Sequence, residues 1–564
     1  MKFSILTSCF LLLCACCFAQ SRSVAKEGFL AISDFGIKED GQTDHTSAIQ
    51  QVIESAKAGE TVYIPEGTFL VRTLFLKTGV NLQVDGVLKQ HPSTKRGDFS
   101  LEKQNSPNPL LKGTGVNSIH ISLNSQSINE AIVLTKSQKI TIENSQLKGD
   151  STKLLAYPGI SIFQCSEIAI ISSKISGFGM PRKNPDSYQP GTGIRIMTSN
   201  TISVRDSEIF NNGENGIFIH GSRKIEAINN VIHHNGMSAI QVAFGNTGKE
   251  TDYRFVGNVM DQNAADAVDI NNRSLQKLKD IDCLIYDNVS CNNGFVNNES
   301  TPDGSGIGTL INVSNVIIYK NTAVKNNRPA IYVESCDLIL IKDNHADNQV
   351  EVVLDLGEML VDSNEFSSIN LMANVEAEKL TLRNNQFHSL SLPNGITVND
   401  FVIENNTFQN ASFNFNFKQG NILLRGNSIR SSRSSGAILL VNFSKATLEE
   451  NKIESTGGPA ITIRKTAFPV EIIKNEIRSV QACILEEGSY NLLLKENKFT
   501  ALSGSDDNFT VKSNYPSKLR LENNEHHGIA DQDAIVLIGT GTATIRGERL
   551  ISGKSNYGKV KITE

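Results

Sequence analysis

Six short segments carry the residues whose types and spacing could do chemistry. Gly193-Ile194-Arg195-Ile196-Met197, Gly216-Ile217-Phe218-Ile219-His220, Ala239-Ile240-Gln241-Val242-Ala243, Ala267-Val268-Asp269-Ile270-Asn271, Gly306-Ile307-Gly308-Thr309-Leu310 and Ala330-Ile331-Tyr332-Val333-Glu334 each open on a small residue and then alternate. Alternation in a strand sends successive side chains to opposite faces, so Ile194, Ile217, Ile240, Val268, Ile307 and Ile331 are expected to enter a core. The other positions form two outward files. One is Arg195, Phe218, Gln241, Asp269, Gly308 and Tyr332; the second is Met197, His220, Ala243, Asn271, Leu310 and Glu334. With strands about 4.8 Å apart, His220 and Asn271 lie roughly 10 Å apart and Arg195 and Asp269 roughly 14 Å. Those spans suit an extended oligosaccharide better than a compact metabolite. Any solvated strand face is polar, but a histidine, two carboxylates, a guanidinium and a phenol on one ribbon favour a site.

The chemistry such a ribbon suits best is β-elimination on a uronic acid, where a base removes the C5 proton while a cation neutralises the neighbouring carboxylate. His220 has the ordinary pKa for the base. Arg195, or a calcium ion on Asp266 and Asp269, would neutralise the carboxylate, because carboxylate oxygens suit Ca²⁺. Tyr332 would protonate the leaving oxygen or stack on a sugar. Phe218, Gln241, Asn271, Arg273, Glu334 and Tyr188 are the expected substrate-binding residues. Tyr188 sits with Arg182 and Lys183 in a turn-rich insertion, residues 178–190, that would wall the groove. Glycoside hydrolysis is the second chemistry: it needs two carboxyl groups about 5 Å or about 6.5–9.5 Å apart. Asp266 and Asp269 would supply them if Asp266 turns outward. His233 and His234 are adjacent and expected on different sides of the chain, so they are not read as a metal pair.

The scaffold that positions these files is legible as a repeat. A polar residue, usually Asn, closes a β-branched run at Ser145, Ser173, Ser207, Asn230, Asn258, Asn288 and Asn321, and on through Asn344, Asn364, Asn385, Asn406, Asn427, Asn451, Asn475, Asn497 and Asn524. From Asn321 to Asn497 the marks fall 20 to 24 residues apart, while between Ser145 and Asn321 they fall 23 to 34 apart. A period of this size without a helical stripe indicates a β-solenoid. The surplus residues of the first half must leave the coil as loops, which places function there. The Asn marks themselves are expected to be structural, hydrogen-bonding the backbone inside turns.

Ahead of the coils, Ala48, Ile49, Val52, Ile53 and Ala56 form a helical apolar stripe after Asp44 as N-cap, and Val62–Ile64 and Leu82–Val84 read as strands. A solenoid exposes an apolar end, which this helix would cover. The run Asp34-Phe35-Gly36 … Asp40-Gly41 … Asp44 … Ala48-Ile49, followed by Val62-Tyr63-Ile64-Pro65-Glu66-Gly67-Thr68-Phe69, resembles the N-terminal segment of the pectate-lyase-like superfamily, which includes polygalacturonases, polysaccharide lyases and alginate epimerases. The resemblance implies an all-β, right-handed parallel β-helix with an N-terminal capping helix, and leaves the reaction open. Ala265-Asp266-Ala267-Val268-Asp269 resembles the calcium motif of family nine polysaccharide lyases with Ala265 in place of the first Asp, and Gly308 stands where those lyases carry their catalytic Lys. Laid on the polygalacturonases, Asp266 matches the second of the paired aspartates, and Ser305 replaces the His.

The expected organisation is a signal peptide over 1–20, a cap over 21–109, coils over 110–550 and a tail over 551–564. Cleavage after Ala19 would release a soluble exported protein, whereas Leu13-Cys14-Ala15-Cys16 resembles a lipobox that would place a lipid anchor on Cys16. The other five cysteines, Cys165, Cys283, Cys291, Cys336 and Cys483, are widely spaced and read as core residues. A net charge of −5 over 564 residues, with scattered Lys and Arg, gives no footprint for nucleic acid. The function expected first is an exported lyase acting on an acidic polysaccharide. A polygalacturonase-like hydrolase comes second, and a non-catalytic glycan-binding surface protein third, the last favoured by the absence of Trp.

Overall fold

The computed structural model describes residues 28–564 apart from 96–107, 152–157, 181, 187–190, 246–249, 274–276, 465–467, 489–490, 503–507 and 517. The expected signal segment, Cys16 and Tyr188 lie outside the described residues.

Short strands recur along the chain, and each pairs in parallel with its counterpart one coil away. Ile194–Met197 pairs with Ile217–His220, which pairs with Ile240–Ala243, which pairs with Val268–Asn271. Ile194, Ile217, Ile240, Val268 and Ile331 are fully buried and stack along the axis. Because every coil places a β-branched or aliphatic residue at the same inward position, the core is a continuous column.

Stacking starts earlier and ends later than the expected boundaries. Thr61–Ile64 already pairs with Asn81–Val84, and Leu82 with Ile121, so the coils do not wait for residue 110. The twenty-residue step from Thr61 to Asn81 is itself one coil period. At the other end Lys561–Thr563 pairs with Thr542–Thr544, which makes the expected tail a last strand.

The helix Thr46–Ser55 buries Ile49, Val52 and Ile53 in the same core as Val62 and Phe69. Its N-cap is His45 rather than Asp44. The backbone of Asp44, two residues ahead of the helix, bridges to Leu70, while its carboxylate still accepts the Thr46 N–H at 3.1 Å. Lys77 Nζ donates to the carbonyls of Glu54 and Ala56 at the other end, placing a cation at the negative pole of the helix.

The Asn marks form a ladder. From Asn230 to Asn524 each Oδ1 accepts the backbone N–H of the mark before it, and each Nδ2 donates to the next Oδ1 at 2.9–3.1 Å. Glu548 Oε1 closes the ladder by accepting from both Asn524 N–H groups at 3.0 Å. A buried column of this kind satisfies turn groups that would otherwise cost about 1–3 kcal/mol each. Cys165, Cys283, Cys336 and Cys483 are buried and Cys291 half-buried, all as free thiols.

Candidate functional site

The two outward files exist, with one register correction. Arg195 pairs with Phe218, Phe218 with Gln241, Gln241 with Asp269, Asp269 with Thr309, and Thr309 with Tyr332. The expected Gly308 and Leu310 therefore give way to Thr309 and Ile311. Gly308 pairs with Ile331 on the inward side, and Leu310 is fully buried, because Gly308 can occupy a core position beside Ile331 and frees Thr309 to face out. In the second file Met197, His220, Ala243, Asn271, Ile311 and Glu334 follow one another.

The files divide into two neighbourhoods. A pocket of about 310 Å³ is lined by Asp266, Asp269, Asn271, Arg273, Asp303, Thr309, Arg328, Tyr332 and Glu351, among others. Arg195, Phe218 and His220 lie outside it, further up the ribbon. There the Arg195 guanidinium sits 4.8 Å from the Phe218 ring centre, and the Phe218 and His220 rings run nearly parallel at 6.5 Å. Burial, then the Arg195 charge, lower the His220 pKa, so its ring is neutral at pH 7, and Nδ1 is buried without a hydrogen-bond partner.

Asp266 and Asp269 are each only 7% exposed. Asp266 Oδ1 accepts the backbone N–H groups of Gly304 and Ser305 at 3.1 and 2.5 Å, and Thr309 Oγ1 lies 3.2 Å away. The φ of +117° at Gly304 is what folds this loop back over Asp266. Burial pushes the Asp266 carboxyl up to about 6 against those donors. Burial, and next the neighbouring Asp266, push Asp269 up to about 8. Its Oδ2 accepts from Gln241 Nε2 at 2.7 Å, and its Oδ1 is buried without a partner. Two adjacent buried carboxyls cannot both ionise cheaply, so one of them holds a proton.

On the far side, Glu334 Oε2 accepts from Tyr332 Oη at 2.6 Å and from Arg273 Nη2 at 2.7 Å. Burial opposes the Glu334 charge, and these two bonds overcome it and hold the carboxyl below its usual range. Burial and the Glu334 bond raise the Tyr332 phenol. Arg182 of the expected wall is spent on structure: its guanidinium donates to the carbonyls of Gly236 and Pro185, while the Lys183 carbonyl accepts from Asn297. His233 and His234 differ from expectation. The left-handed backbone at His234, φ +53°, swings its ring toward its neighbour, with the two Nδ1 atoms 2.8 Å apart.

The expected calcium site does not fit. Asp266 Oδ1 is committed to N–H donors, and no group of three or more His, Cys, Asp or Glu among the described residues is arranged to hold a metal ion.

Sequence reasoning missed several contributors besides Thr309 and Arg328. Asp303 lines the pocket from the loop, Glu351 from the next coil, and Asn215 hydrogen-bonds Gln241. It also missed a second ladder, Asn212, Asn235, Asn263, Asn293 and Asn326. Each rung lies five residues after a mark of the first ladder, a constant offset that the sequence displays.

Residues 29–251 match the family model described as rhamnogalacturonase A/epimerase, pectate lyase-like, and residues 368–514 match the right-handed β-helix region. These matches bear out the pectate-lyase-like fold and the right-handed winding. The chain is similar to a probable glucan endo-1,3-beta-glucosidase of Arthroderma benhamiae, 31% identical over 93 residues, which are 16% of this chain and 10% of that one. It is also similar to the uncharacterized protein YclG of Bacillus subtilis, 28% identical over 210 residues, 35% of this chain and 33% of that one. The chain thus spans about a tenth and a third of the lengths of these curated relatives. Among solved structures, the Streptococcus pneumoniae surface protein and adhesin PfbA is 15% identical with a TM-score of 0.42, over 67% of this chain and 100% of that one.

Proposed function

We propose that the protein is an exported glycoside hydrolase of acidic polysaccharides in which Asp269 is the general acid and Asp266 the base. The observation that carries this reading is the pair of buried aspartates lining one pocket, Asp269 with its Oδ1 left without a partner and Asp266 with its Oδ1 accepting two backbone N–H groups. Burial and mutual repulsion raise the proton affinity of both carboxyls, and the two backbone donors on Asp266 favour its ionised form, which leaves the proton for Asp269, the division of labour that glycosidic cleavage requires. Asp269 gives its proton to the glycosidic oxygen as the bond from that oxygen to the anomeric carbon breaks. A water oxygen joins the anomeric carbon, and its proton passes to Asp266. Arg328, exposed at the pocket, and Arg273 supply positive charge for a uronate carboxylate. The pectate-lyase-like match over residues 29–251 supports a polysaccharide as substrate.

A second reading keeps β-elimination, and a specific observation favours it: His220 is held neutral beside Arg195, with one ring nitrogen free of partners. Incubation with a panel of uronate polymers separates the two. Hydrolysis yields saturated reducing ends and is abolished by Asp269→Asn. Elimination yields ultraviolet-absorbing C4–C5 unsaturated ends and is abolished by His220→Ala.

A further inference from the structure

The polarity of a buried hydrogen-bond chain reaches Asp269 from a backbone group that can only donate. The Ser238 N–H donates to Asn215 Oδ1 at 3.0 Å. Asn215, fully buried, must therefore turn its Nδ2 outward, and it donates to Gln241 Oε1 at 2.9 Å. With its oxygen so engaged, Gln241 presents Nε2 to Asp269 Oδ2 at 2.7 Å. No amide in this chain can be flipped without setting two acceptors or two donors face to face.

We infer that Gln241, oriented by Asn215, is a positioning residue that fixes which oxygen of Asp269 carries the catalytic proton: Oδ2 is obliged to accept, so the proton resides on Oδ1. This rests on the reading of Asp269 as the acid. Oδ1 is the oxygen the protein leaves without a partner, although it is buried. The chain thereby differs from the arrangement at Asp266, where Oδ1 is the oxygen obliged to accept, from two backbone donors. One aspartate is set up to ionise in place, and the other keeps a single transferable proton on a chosen atom. The charged groups around Asp269 are Asp266 and Asp303, which oppose its ionisation, and Arg273, which favours it; Arg328 and Glu351 line the same pocket. None of them hydrogen-bonds the Oδ2 that Gln241 holds.

Asn215→Asp tests the inference while preserving shape. An aspartate still accepts the Ser238 N–H but has no hydrogen to offer, so Gln241 must rotate its amide and show Oε1 to Asp269, which then donates from Oδ2. Selective carboxyl-¹³C labelling of aspartate, with Asp269→Asn to assign the signal, reads the titration of Asp269 without any substrate. The expected result is an upward displacement of about one unit in Asp269 titration and in the alkaline limb of kcat, with kcat down about ten-fold or more and KM held within about three-fold. Gln241→Leu, which removes the donor, shifts the titration in the same direction and serves if Asn215→Asp does not fold. An unshifted Asp269 signal in folded Asn215→Asp or Gln241→Leu protein overturns the inference whatever the activity. A shifted signal together with full activity in Asp269→Asn upholds the relay and overturns the assignment of Asp269 as acid.

Discussion

Tyr332 Oη donates to Glu334 Oε2 at 2.6 Å, on the same oxygen that takes the Arg273 guanidinium. The phenol proton is thus spent inside the protein, and burial with the Glu334 bond raises its pKa further from a proton donor's working range. Tyr332 lines the pocket with its phenol proton engaged by Glu334. Tyr332→Phe is expected to keep kcat within about five-fold, while Tyr332→Ala raises KM through loss of a sugar-contacting ring. Steady-state kinetics of the two variants check this, and a kcat loss of about a thousand-fold in Tyr332→Phe would restore it as an acid.

Asp269 is expected to make stability fall with rising pH. Its pKa lies above the ordinary 3.8, so the neutral form stabilises the fold. That contribution is fully present below 3.8 and is lost as pH rises through about 8. Asp266, raised to about 6, adds the same sign at lower pH. The melting temperature is expected to drop between about pH 4 and about pH 8, and Asp269→Asn should flatten that slope. Thermal melts across pH decide it, and a slope unchanged in the variant contradicts the buried neutral carboxyl.

His220→Ala should leave hydrolytic kcat within about ten-fold, since the ring lies outside the pocket that holds the two aspartates. Its loss should instead weaken binding of longer oligosaccharides, because the Phe218–His220–Arg195 stack continues the ribbon beyond that pocket. Kinetics on substrates of increasing length provide the check.

Asn427→Ala removes a rung that accepts the Asn406 N–H and Nδ2 and donates to the Ile403 carbonyl and Asn451. Leaving those buried groups unpaired is expected to cost about 2–4 kcal/mol in denaturant unfolding. Hydrolysis at 25 °C by the folded fraction should be unchanged, since the rung lies coils away from Asp269. Equal stability in the variant would show that the ladder is incidental.

What the sequence revealed follows from what is periodic. The Asn ladder, the inward Ile column and the outward order Arg195, Phe218, Gln241, Asp269 all repeat once per coil, and so the alternation alone placed them. The slip at Gly308 arises because Gly306-Ile307 repeats the small-then-apolar opening of the other five segments; the pairing of Gly308 with Ile331 fixes the register. The raised proton affinity of Asp266 and Asp269 was not legible at all. It comes from burial, from the repulsion of Asp269 by Asp266, and from Asp303 on a loop nearly forty positions later, and an aperiodic loop leaves no pattern. Family likeness could not fill this gap, since Asp266, Asp269, Asp303, Tyr332 and Glu351 all fall between the two matched ranges.

The most direct test of the central claim is product analysis of wild-type and Asp269→Asn protein on a uronate polymer. Hydrolysis predicts new saturated reducing ends, no gain in ultraviolet absorbance, and a fall of about a thousand-fold or more in the folded variant. Unsaturated products, or saturated products formed by Asp269→Asn at the wild-type rate, would contradict it.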